Sequence, residues 1–296
     1  MATGRVTESS IHTRVLANLQ RNIAKGEKIQ EQLSSGKQIN RPSDSPTGTV
    51  ASMQLRGESR AVQQYSRNAD DGLGWLSTLD STLSNTSTLV NRARDLTVQG
   101  LSSGTNTAQS NEALATEVDQ IKSALIGYAN TKYLDRPVFG GTTTGDTAYD
   151  TAGNYVGDAG QTTRTVGANS KVRVDATGPE AFGTGATQLF TVLQGISDSI
   201  RSGDSDALSA GLDKLDKASD LMKNTLSDVG ARYNRVTQMK QSAQDRLLSV
   251  TSQLSDVEDV DLPKTIMDMQ LQQTSYQAAL AASAKVIQPS LIDFLR

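Results

Sequence analysis

Apolar residues recur along this chain in long runs of a seven-residue period. From Val62, every seventh position reads Val62, Ala69, Leu76, Leu83, Val90 and Thr97, and an interleaved row reads Tyr65, Gly72, Leu79, Thr86 and Ala93. Only an α-helix sets such a 3-4 alternation on one face, which predicts a helix from about Pro46 to Gly100. The glycines at 72 and 74 could bend or weaken it. A second span, about Asp204 to Leu254, carries Leu215, Met222, Val229, Val236, Ala243 and Val250. Its companion row is Leu212, Ser219, Leu226, Tyr233, Lys240, Leu247 and Leu254. Lys240 interrupts that stripe and is expected to snorkel at its edge. Both spans are more than twice the usual 8–20 residues of globular helices. A shorter helix is expected over Asn111–Tyr128, with Leu114, Val118, Ile121 and Leu125 on one face. It folds back through a turn at Ser102–Asn106.

The two ends of the chain carry shorter stripes. Leu16, Leu19, Ile23 and Leu33 mark one near the N-terminus, widened by Ile11 and Val15. Ile266, Met269, Tyr276, Leu280, Ile287 and Phe294 mark another near the C-terminus, broadened by Leu291 and Leu295. Gly36 is placed to end the first helix, ahead of Pro42 and Pro46. Asp261 is placed to cap the last helix and Pro263 to sit in its first turn, while Pro289 should kink it. An isolated amphipathic helix is marginal in water, so the ends are expected to pair with each other or to order against a partner.

Between the long helices the pattern changes. Residues 137–185 are dense in Gly and Thr, and Lys171–Asp175 alternates at period two, with Thr162–Val166 as its hairpin partner across Gly167–Ser170. The predicted fold is mainly α: a long antiparallel helical bundle or coiled-coil rod formed by the N- and C-terminal regions, with a small inserted β domain. The expected segments are an N-terminal assembly helix and elbow (1–45), the first half of the rod (46–136), the β insertion (137–187), the second half of the rod (188–257) and a C-terminal assembly helix (258–296).

Composition narrows the function. Apolar residues make up 36% of the 296 and aromatics only 4%, with one tryptophan, Trp75. That suits thin packing along helix seams better than a wide core. The net charge is -3 and no basic tail exists, so nucleic acid is not an expected partner. Residues 1–48 hold seven Arg/Lys against four Asp/Glu, and residues 253–296 hold three against six. This bias suits pairing of the ends, weakly. No stretch of about 20 apolar residues occurs, so no membrane insertion is expected. The N-terminal residues lack the apolar core of a conventional signal peptide.

Chemistry is sparse. Cysteine is absent and His12 is the single histidine, which leaves no thiolate and no expected metal site, cofactor or catalytic residue. Ser34 and Lys37 form an S-x-x-K string without the partner motifs it needs. Gly140, Gly141 and Gly145 lack the Lys-Ser/Thr of a phosphate loop. The acidic run Asp256, Glu258, Asp259 and Asp261 lacks calcium-loop spacing and reads as helix capping and a solvated link. The chain is not expected to be an enzyme.

Two strings give this frame a family. IQEQLSSGKQINRPSDSPTG (29–48) resembles the motif that follows the first helix in flagellins and flagellar junction proteins. DVDLPKTIMDMQLQQTSYQAALAASAKVIQPSLIDFLR (259–296) resembles the matching tail. Together with the long helices, the resemblance to the flagellin superfamily covers nearly the whole chain. Within it, RPSDSP (41–46), the succession YVGDAG (155–160), KVRVD and GPEAFG (178–183), the QQT of 272–274 and the ending SLIDFLR resemble the hook–filament junction branch. YLDRPVFGG (133–141) departs from the NG-x-YLFGG-like string of relatives, which affects a local turn.

The resemblance implies a structural adaptor in the extracellular flagellum, at the hook–filament junction. It implies export unfolded through the flagellar type III pathway, with hook-associated protein 1, flagellin, further copies in a ring and a cytoplasmic export chaperone as partners. It also implies that Leu16, Leu19, Ile23 and Leu33, with Ile266, Met269, Tyr276, Leu280, Ile287, Leu291 and Phe294, form an assembly seam. Arg41, Pro42, Asp44 and Pro46 would form the elbow below it. Flagellin itself is the competing reading within the family, and a cell-surface adhesin the competing reading outside it.

Overall fold

A computed structural model describes residues 8–102 and 107–287, with side chains described from 13 to 284 within those ranges. The order of elements is α1 (Glu8–Ser35), α2 (Pro46–Ser102), α3 (Ala108–Ala129), β1 (Lys132–Tyr133), β2 (Arg136–Pro137), β3 (Thr163–Gly167), β4 (Ser170–Arg173), α4 (Gly178–Phe182), α5 (Leu189–Ser202), α6 (Ser205–Glu258) and α7 (Leu262–Ile287). The protein is mainly α with a small β insertion. The predicted turn at 102–106 falls largely outside the described residues, as do Pro289, Leu291 and Phe294, and so do the side chains of His12 and Ile287.

The helix ends follow local chemistry. Gly36 has φ +68° one residue after α1, the left-handed conformation that glycine adopts without a Cβ penalty. Ser45 caps α2: its Oγ accepts from the Gly48 amide at 3.1 Å, with Pro46 in the first turn. Thr107 caps α3, Asp204 caps α6, and Asp261 caps α7 by accepting from the Lys264 amide at 3.1 Å.

The chain forms two compact units: residues 61–246, and residues 1–60 together with 247–296. α2 and α6 contribute to both. In the larger unit the seven-residue rows face inward. Val62, Ala69, Leu76, Leu83, Val90 and Thr97 of α2 are all buried, as are Leu215, Met222, Val229, Val236 and Ala243 of α6. α3 buries Leu114, Val118, Ile121 and Leu125 and packs on α5, where the Ser197 hydroxyl donates to the Ala115 carbonyl at 3.2 Å. Lys240, partly buried, pairs with Asp70 at 2.6 Å.

The β3–β4 hairpin is antiparallel, with Arg164 opposite Val172. A second short hairpin pairs β1 with β2. The insertion brings Phe139, Tyr149 and Phe182 to a buried aromatic cluster with Phe190 of α5, Tyr149 lying edge-on to Phe190 at 5.0 Å between ring centroids. α2 runs unbroken through both glycines that were expected to weaken it. A Cβ at Gly74 would sit 2.3 Å from the Tyr133 hydroxyl, so that glycine admits the β1–β2 hairpin to the helix surface. α4 and α5 went unrecognised as separate elements within 178–203, and Gly203, at φ 72°, separates α5 from α6.

Candidate assembly site

The smaller unit brings the two ends of the chain together. α1 packs on α7. The Gln272 side-chain amide donates to the Asn22 carbonyl at 2.8 Å, and Gly26 faces the Gln272 stem. At the inner end of the pair, the Val260 amide donates to the Gly36 carbonyl at 3.1 Å and the Gln38 amide to the Glu258 carbonyl at 2.6 Å. Asn22 thus lies by Gln272 and Gly36 by Val260, so the two helices run antiparallel.

Beneath this bridge lies a knot of charge. Glu258, its side chain 3% exposed, pairs with Arg56 at 2.7 Å and with Lys37 at 3.4 Å. Lys37 also pairs with Asp259 at 2.6 Å, which accepts as well from the Ser255 hydroxyl. Burial opposes the charge on Glu258. Hydrogen bonding and attraction from Arg56, with smaller help from Ser52 and Lys37, more than offset it and hold its pKa below the ordinary carboxylate value. Asp259 is lowered by Lys37 and Ser255. This corrects the reading of the acidic run as capping and a solvated link. Asp261 does cap, but Glu258 is buried and ties the end of α6 to Lys37 and Arg56, more than 200 residues away in sequence.

The predicted elbow is built on Asp44. Its carboxylate accepts from the backbone amides of Arg41 and Asn40 at 2.9 and 3.2 Å and pairs with Lys28 of α1 at 3.0 Å. Lys28, then the Arg41 amide, lowers its pKa. Arg41 reaches back to Glu31 at 3.3 Å. Pro42 and Pro46 are exposed; their contribution is the fixed φ of the turn.

Of the predicted seam, Leu19, Leu33, Met269 and Tyr276 are half-buried, while Leu16, Ile23, Ile266 and Leu280 are exposed. Met267 and Leu271, which lay off the predicted seam, are more exposed still. Ile29 is the one buried apolar side chain among the described residues of α1. Ile23, Gly26, Met269 and Tyr276 line an open groove of about 380 Å³ along the pair. Single exposed apolar residues are ordinary; here several lie along two adjacent helices.

Among the described residues, no group of three or more His, Asp or Glu could hold a metal ion, and no helix is long and apolar enough to cross a membrane. The arrangement defines a helical structural protein that brings its chain ends together and presents apolar surface there. Residues 7–144 match the bacterial flagellin N-terminal helical region and residues 212–295 the bacterial flagellin C-terminal helical region. The chain belongs to the flagellin superfamily, whose matched members are structural proteins of the flagellum and not enzymes. It is 27% identical over 283 residues to flagellar hook-associated protein 3 of Escherichia coli (strain K12), covering 86% of this chain and 88% of that protein. It is 25% identical over 299 residues to a flagellin of Bacillus subtilis (strain 168), covering 96% of each. Its fold is that of a flagellar hook-associated protein from Vibrio parahaemolyticus (TM-score 0.67, 20% identity, 73% of this chain and all of the other). It is likewise that of flagellar hook associated protein-3 from Legionella pneumophila (TM-score 0.62, 14% identity, 69% of this chain and 98% of the other).

Proposed function

We propose that this chain is the structural adaptor between the hook-side ring of hook-associated protein 1 and the flagellin filament. The observation that carries the reading is the terminal helix pair. α1 and α7 are joined at their base by the Gly36–Val260 bridge and the Glu258 ion pairs, yet leave Leu16, Ile23, Ile266, Met267, Leu271 and Leu280 at the surface. Burying each such side chain against a neighbouring subunit is worth about 1.5–3 kcal/mol, so a handful offsets the cost of ordering the ends in a ring of copies. The Asp44 elbow joins the terminal pair to the rod formed by 46–136 and 188–257. The export route is the flagellar type III pathway, with a cytoplasmic chaperone covering the apolar ends before assembly.

Flagellin remains the second reading, because the match to the Bacillus subtilis flagellin spans 96% of both chains. The RPSDSP elbow and the SLIDFLR ending favour the junction. Deleting the gene and viewing cells by electron microscopy separates the two. Bare hooks with secreted, unpolymerised flagellin in the medium support the adaptor; loss of the filament protein itself from the medium supports flagellin.

A further inference from the structure

We propose that Glu258 is a proton-operated clasp on the two chain ends: charged, it ties the 36–38 segment and α2 to the end of α6, and neutralised, it lets the α1–α7 pair part while residues 61–246 stay folded. The inference concerns the free chain and does not depend on which partner completes the assembly.

Three features of the geometry converge on this carboxylate. First, it is where separate segments meet. Arg56 and Ser52 face it from α2, Lys37 faces it from the 36–38 segment, and Asp259 beside it shares Lys37. Second, it is almost wholly out of water, and its Oε1 has no hydrogen-bond partner. The site therefore holds Glu258 by attraction to its two cations and not by a full shell of neutral donors. Third, among the described residues little else anchors the pair at this end: the backbone bridge adds two hydrogen bonds, and Ile29 and Val250 are the buried apolar side chains of the smaller unit.

The direction with pH follows. Folded-state values for Glu258, Asp259 and Asp44 are lowered. Their contribution is complete above the unfolded carboxylate range and is lost as pH falls through the folded values. The larger unit is built differently. It too carries lowered carboxylates, Asp119, Asp150, Asp158 and Glu180, but a broad apolar core holds it together without them.

The chain carries its own reporter for each unit. Trp75, the single tryptophan, is buried in the larger unit. The absence of cysteine allows a label pair at Glu27→Cys and Gln273→Cys, which line the same groove between α1 and α7. In the full chain, the label distance should widen as pH falls below about 4.5, with Trp75 emission unchanged over that step. Glu258→Gln should show the widened distance already at pH 7 and no acid step, whereas Glu258→Asp should keep the step. The proposal is overturned by a label distance that holds to pH 3, by one that changes only together with Trp75, or by an acid step that survives in Glu258→Gln with Trp75 emission native.

Discussion

The two compact units hold themselves together by different means. The larger buries a continuous apolar core running from Ala69 and Trp75 through the aromatic cluster of Phe139, Tyr149, Phe182 and Phe190 to Val236. The smaller buries Ile29 and Val250 among its described apolar side chains, and relies on the Glu258 ion pairs, the Gly36–Val260 bridge and the Asp44 elbow. The contrast does not come from helix length or regularity: α2 and α6 belong to both units. It comes from how many layers pack on the helices. In the larger unit α3, α5 and the β insertion share one core with α2 and α6. In the smaller unit α1 and α7 make two-helix contact, and their outer faces stay open. A two-helix pair cannot bury enough surface to offset its own ordering, which is why the open faces suit completion by other chains.

The contrast is most sharply broken by truncation. Removing the residues after Met269 should abolish incorporation into flagella while leaving Trp75 emission native, as fluorescence and motility assays would show. If filaments grow normally, the seam has no role. Core substitutions should separate the units next. Leu76→Ala and Leu79→Ala, each in a fully enclosed site, should cost about 2–5 kcal/mol in denaturant unfolding. Leu16→Ala and Ile23→Ala should change the unfolding of the free protein by less than about 0.5 kcal/mol yet impair assembly. Equal losses of stability at both sets would contradict a self-contained core confined to one unit.

Electrostatics provides a finer test. Arg173 lowers the Glu180 pKa to about 2 through a paired hydrogen bond; partial burial opposes this and the Thr177 amide assists. The stabilisation is therefore complete above pH 4.5 and fades as pH falls toward 2. Because Glu180 is nearly half exposed, solvent screening reduces it, and Glu180→Gln should cost about 1–2 kcal/mol at pH 7. The same substitution should flatten the acid limb of the stability–pH curve between pH 4.5 and 2. At the bottom of the scale, Glu117→Gln removes the surface pair with Arg92, 2.7 Å long, and should cost less than about 0.5 kcal/mol.

The long helices were legible because their rows repeat over many heptads, and each row member from Val62 to Thr97 is buried where the period places it. Caps were legible at Gly36 and Asp261, which act within a few residues of themselves; the Ser45 cap of α2 was found only in the structure. α5 left a readable signal, Leu189, Val192, Leu193, Ile196 and Ile200 on one face, that the neighbouring 54-residue helix overshadowed. The Glu258 knot was not readable. Lys37 and Arg56 lie more than 200 residues from it in sequence, and an acidic run beside a helix start looks solvated until the fold buries one member. For the seam, the period marked which residues could face a partner; it could not say that Met267 and Leu271, off the row, would be the more exposed.

On this reading residues 61–246 are complete in the free chain, whereas α1 and α7 are completed by assembly. Amide hydrogen exchange of the free protein against the assembled form tests it most directly. Residues 13–35 and 262–284 should exchange far faster than the segment from Trp75 to Leu96 in the free chain, and should gain strong protection on assembly while that segment stays unchanged. Equal protection of the terminal helices and the core in the free protein, or no gain on assembly, would contradict the account.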